Sequence, residues 1–156
     1  MSRLDDVRGA LATLRRSYER VWQQFEPDGR QPEELRRTTT QHYCTYNLQA
    51  WVLLAISAER LGQDLWSYRS PDGRGVVPAS RWLLGHIGHA WPHEQIDEFD
   101  VNRWTALYHQ LPASIRSGPE LAKIVVEPAD AWKVKQVFSP HDGIRPFWLI
   151  GGRHAL

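Results

Sequence analysis

The 156-residue sequence has one cysteine, Cys44, which excludes an internal disulfide and a cysteine-rich metal site. It has no apolar run of membrane-spanning length, so no membrane partner is expected. The net charge is only +1, which does not mark a nucleic-acid binder. There is no internal repeat, no phosphate-cradling glycine loop and no Ser-His-Asp signature. No cofactor is expected. The N-terminus, MSRLDDVRGALATL, is charged and amphipathic where a secretory signal would be apolar, so the chain as given is expected in the cytoplasm.

What is present is an ordinary globular balance, 42% hydrophobic and 24% charged, enough for one domain over residues 1–156. Eight tryptophans stand out. Most belong in a core or interface, but an indole face also stacks well on a pyranose ring. Leu4, Val7, Leu11, Leu14, Tyr18, Val21 and Phe25 recur at alternating spacings of three and four, which predicts a helix over residues 3–25 with one buried seam. Further helices are expected over 33–61, from Pro78 onward, over 97–111, and from Pro128 through Val137. Residues 63–77 read as a loop, and 120–126 are ambiguous because Ile124, Val125 and Val126 favour strand. The fold class is all-α.

The stretch 28–46, DGRQPEELRRTTTQHYCTY, is unlike a surface helix. Arg36, Arg37, His42, Tyr43, Tyr46 and Asn47 crowd together with little apolar content. On a continuous helix Arg36, Thr40, Tyr43 and Asn47 would share a face, placing cation, hydroxyl, phenol and amide side by side. The loop that follows alternates Trp66 and Tyr68 with Asp64, Arg69 and Arg74, a pattern that could present aromatics and cations to an anionic sugar. His86, His89 and His93 raise a metal reading, but Gly85, Gly88 and Pro92 interrupt their spacing and no Asp, Glu or Cys completes a ligand set. No metal is expected.

The block from Asp28 to Gly75 closely resembles a central segment of the alginate lyase family. The resemblance rests on Glu-Leu, Arg and Thr, then His42-Tyr43, Asn47-Leu48 and Asp64-Leu65-Trp66, with WPHEQI and HDGIRPFW as weaker matches. It implies part of an (α/α) toroid, an array of helical hairpins, that binds an acidic polysaccharide such as alginate and cleaves it by β-elimination. In such enzymes an Arg, with Asn and His groups, neutralises the uronate carboxylate, and a Tyr acts as base, acid or both. A phenol with pKa near 10 is a poor base at neutral pH unless a neighbouring cation lowers it, and an Arg can do this while holding the carboxylate bidentately.

Carried over, the resemblance makes Tyr43 the phenol, with Tyr46 as fallback, and places His42 in the catalytic group. The Arg is Arg36 or Arg37: one-face geometry favours Arg36, and the family's Arg-Thr pairing favours Arg37. Tyr46, Asn47, Trp66, Tyr68 and Arg74 are expected to bind substrate. Such lyases carry an Asn-Asn-His motif upstream of this block, yet the 27 residues before it contain no Asn or His. The N-terminal half of the toroid is therefore expected to be absent. Its exposed face would be covered by that half or by a second copy. Family members are often secreted or periplasmic.

Overall fold

The computed structural model describes residues 3–124. Among them are five α-helices and no β-strand: α1 (Arg3–Gln24), α2 (Thr40–Arg60), α3 (Val76–Leu84), α4 (Asn102–Gln110) and α5 (Ala113–Arg116). The all-α expectation therefore holds. None of these helices is long and apolar enough to cross a membrane. Val125, Val126 and the expected helix from Pro128 to Val137 lie outside the described residues, as does the HDGIRPFW run.

The seam of α1 is buried from Leu14 through Val21 to Phe25, while Val7 stays exposed. Helix α2 is the central element. Its Cys44, Leu48, Trp51, Val52, Ala55 and Ile56 join Leu83 and Leu84 of α3 and Trp104 and Leu107 of α4 in one core. It ends as Gly62 predicts. The Gly62 N–H donates to the Glu59 carbonyl and the Gln63 N–H to that of Ala58, a Schellman closure with Gly62 at φ +70°.

The start of α2 differs from expectation. The stretch 33–39 is not α-helical: a single 3₁₀ turn spans Glu34–Arg36, Arg37 is extended, and the helix begins at Thr40. Three consecutive β-branched threonines disfavour helix, and a distant segment offers them better partners. Thr39 pairs with Gln95 in an isolated bridge, and the Ile96 N–H donates to the Thr38 carbonyl. The first N–H groups of α2 are then satisfied from that same segment. Thr40 N–H donates to the Glu94 carbonyl (3.2 Å) and Gln41 N–H to Gln95 Oε1 (2.9 Å). The Thr40 hydroxyl also donates to the Glu94 carbonyl.

Helix α3 begins two residues before Pro78, which sits in the first turn, where its missing N–H is no loss. The turn before the 3₁₀ segment is seated against it. Gly29 has φ +91°, and a Cβ there would lie 2.2 Å from the Pro78 carbonyl oxygen, so no other residue fits. Helix α4 is shorter than expected, because residues 97–101 are not helical and Leu111 is extended ahead of Pro112. Pro112 then opens α5, which periodicity missed because it is only four residues long.

Candidate functional site

The late start of α2 removes the geometric case for Arg36. Arg36 lies outside the helix, its side chain is 71% exposed, and it pairs with Glu33 at 2.6 Å. Thr40, expected on the same open face, is buried. The extended backbone of Arg37 instead carries its guanidinium over the Tyr43 ring, 4.1 Å from the ring centre. That is a close cation–π contact.

Seven arginines fall between residues 30 and 81, and the structure gives them different partners. Arg30 pairs with Asp28, Arg36 with Glu33, Arg74 with Asp72 and Glu26, and Arg81 with Glu120. Arg69 donates to the carbonyls of Trp66 (2.8 Å) and Tyr68 (2.6 Å). Arg37 has neither an ion pair nor a hydrogen bond from its side chain among the described residues, and it is exposed. Half-buried Glu34 stands near it. Burial pushes the Glu34 carboxyl up, Arg37 pulls it back, and Glu33 adds to the rise. In the sequence Glu34 reads only as a helix-dipole acid.

Asn47 is one turn beyond Tyr43 on the same side of α2. Its amide donates to Gln31 Oε1 (2.9 Å), and fully buried Gln31 donates onward to the Cys44 carbonyl (3.1 Å). Asn47 also lines an open groove of about 260 Å³ with Ala50, Trp51 and Leu54 of α2 and Ser17, Arg20 and Gln24 of α1. Tyr43, Asn47, Ala50 and Leu54 follow at spacings of four, three and four, so the groove continues the Tyr43 face. Tyr46 is half exposed nearby. Arg20 and Gln24 escape sequence reading because a polar helix face looks alike whether it meets solvent or a groove. Cys44 is fully buried and burial drives its thiol up, so it is inert.

The other expected site residues are placed elsewhere. His42 turns inward: it is 6% exposed, Arg103 Nη1 donates to its Nδ1 (2.9 Å), and its Nε2 therefore carries the proton facing the Glu98 carbonyl (3.1 Å). It also packs edge-on to Phe99. Trp66 is buried and lines a different groove with Glu59, about 24 Å along α2 from Tyr43 at 1.5 Å per residue. Tyr68 packs edge-on to Tyr18 of α1. Arg74 donates to the carbonyls of Trp22 (3.0 Å) and Phe25 (2.8 Å), tying the loop to the end of α1.

The alginate lyase family model matches residues 4–90, a stretch that contains α1, α2, α3, Arg37, Tyr43 and Asn47. The chain belongs to the alginate lyase family. Its structure resembles that of an alginate lyase from Bacteroides ovatus, with a TM-score of 0.60 and 32% identity. The match covers 77% of this chain and 34% of that one, so the chain spans about a third of the length of that lyase. Comparison with curated protein sequences gave no match. As a polysaccharide lyase-like protein, the chain has its Arg37–Tyr43 pair and the adjoining Asn47 groove within the stretch that defines its family membership.

Proposed function

We propose that the Arg37–Tyr43 face binds a uronate polymer such as alginate and cleaves it by β-elimination. The carrying observation is an uncommitted guanidinium stacked on a phenol, one helical turn from the groove that Asn47 lines. Arg37 takes the uronate carboxylate, which makes the C5 proton acidic enough to leave. Tyr43 removes that proton and protonates the departing C4 oxygen. Asn47 and Arg20 orient neighbouring sugars. Incubation with alginate should raise ultraviolet absorbance, because elimination leaves a conjugated C4–C5 double bond and hydrolysis does not. Tyr43→Phe should abolish the rise. Normal turnover by that variant would remove Tyr43 from the reaction.

A second reading is a non-catalytic binding module for acidic sugar, or an interaction domain completed by a second copy or another chain. It is favoured by His42, whose imidazole is committed to Arg103 and the Glu98 carbonyl in the core. Quenching of tryptophan fluorescence by alginate without any rise in absorbance would support the module. A mass that grows with concentration would support the interaction domain.

A further inference from the structure

Four rings form a cluster at the end of α3 and in the loop after it. Trp82 stands 5.3 Å from His86, 5.6 Å from Trp91 and 5.9 Å from His93, centre to centre. Trp91 is 5.0 Å from His86 and 5.2 Å from His93. All four residues are half-buried, so the cluster opens to solvent on one side. The back is anchored: Trp91 leans on Trp104 of the core and its indole N–H donates to Thr40 Oγ1 (2.7 Å).

Two of the polar atoms of this cluster are committed, the Trp91 indole N–H and His86 Nδ1, and the rest are not. His86 Nδ1 faces the Trp82 carbonyl at 2.8 Å and so donates to it, which leaves Nε2 outward. Nε2 of His86, the ring nitrogens of His93 and the indole N–H of Trp82 have no hydrogen-bond partner among the described residues. Burial, then the like charges of His86 and Arg30, hold His93 below the usual imidazole range. Of the nearby acids, Asp28 is tied to Arg30 at 2.7 Å and Glu94 is exposed. The cluster thus combines two indole faces with donors that repel one another until an anion arrives.

We propose that Trp82, His86, Trp91 and His93 form a second subsite that binds one acidic sugar of the polymer. A pyranose ring packs on the solvent side of the half-buried indoles, and its carboxylate is held by the imidazoles. This inference rests on the acidic-polysaccharide reading above. Trp91 is fixed to Thr40, which lies about 4.5 Å along α2 from Tyr43. A bound carboxylate favours protonated imidazole, so affinity rises as pH falls through the imidazole range.

Calorimetric titration of the full chain with an alginate oligosaccharide, against a neutral oligosaccharide of equal length, tests this. Tyr43→Phe is used in parallel to hold the ligand intact. The expected result is uronate-selective binding that tightens about tenfold as pH falls through the imidazole range, and His93→Gln flattens that slope. His93→Gln removes no hydrogen bond among the described residues, and Trp82→Phe, which keeps an apolar ring, should weaken binding severalfold. Unchanged affinity and slope in His93→Gln, equal binding of the neutral sugar, or no binding by the wild type would overturn the subsite. Binding with this slope but without any absorbance rise would sink the lyase reading and keep the subsite. Turnover with a slope indifferent to His93 would do the reverse.

Discussion

Two stretches of this chain have nearly the same residue types and opposite fates. Residues 36–47 and 64–74 both mix arginines with aromatics, and both read as surfaces for an anionic sugar. In the second, Arg69 and Arg74 are drawn onto backbone carbonyls, Trp66 is buried, and Tyr68 packs on Tyr18. In the first, the Arg37 guanidinium lies over the face of Tyr43 and makes no ion pair or hydrogen bond among the described residues. The difference lies in the neighbours. The end of α1 leaves carbonyls that need donors, and the loop passes beside them. The start of α2 needs acceptors, which residues 94–95 supply, so an arginine there has no backbone work to do.

The largest test of that contrast is kinetic. Arg37→Ala and Tyr43→Phe should each lower turnover of alginate by about 10²–10⁴, the usual effect of losing a placed proton-transfer or charge-holding group. Arg36→Ala should change it less than about threefold, because its guanidinium is exposed and held by Glu33, and such surface pairs contribute little. Equal losses from Arg36→Ala and Arg37→Ala would return Arg36 to the site.

The fold was largely readable, and the reasons differ by element. The α1 seam and the Gly62 stop are local signals, and both reappear in the structure. The start of α2 was not readable, since its partners lie more than fifty residues away at Glu94 and Gln95. The site followed the same division. Tyr43, and the pair of candidates Arg36 and Arg37, could be named from residue type and family pattern. That Arg37 rather than Arg36 meets the phenol depends on one extended residue. Sequence cannot show that His42 faces α4, nor that Arg20 faces a groove, because neighbour identity is a property of the packed helices.

Stability separates the two stretches next. Trp66→Ala should cost about 3–5 kcal/mol, as for other buried indoles. Tyr46→Ala, at a half-exposed ring, should cost about 1 kcal/mol or less. Urea unfolding of both variants measures this, and comparable losses would mean that Tyr46 is part of the core. Asn47 falls between them. Asn47→Ala leaves the Oε1 of buried Gln31 without its donor and should cost about 1–3 kcal/mol, so its effect on turnover has to be read at a temperature where the variant is fully folded.

The smallest effect is the dependence of stability on pH, and Asp64 of the second stretch and Glu34, just ahead of the first, should show opposite signs. Hydrogen bonds from Ser67, side chain first and then backbone, hold the Asp64 carboxyl below its ordinary value of 3.8. A lowered carboxylate contributes stability above its unfolded value and loses it as pH falls through the folded one. Asp64→Asn should therefore flatten the loss of thermal midpoint below about pH 4. Glu34 runs the other way. Burial raises its carboxyl above the ordinary 4.5, so folding favours the protonated form, and that contribution is lost as pH rises through the raised value. Glu34→Gln should be neutral in acid and stabilising by about 0.5 kcal/mol or less near pH 7, a figure kept small by solvent screening. Thermal midpoints of the two variants across pH 3–8 decide the matter. Should Glu34→Gln lower the midpoint at neutral pH, the attraction between Glu34 and Arg37 outweighs the burial of the carboxylate, and Arg37 is less free to hold a sugar acid than its exposure suggests.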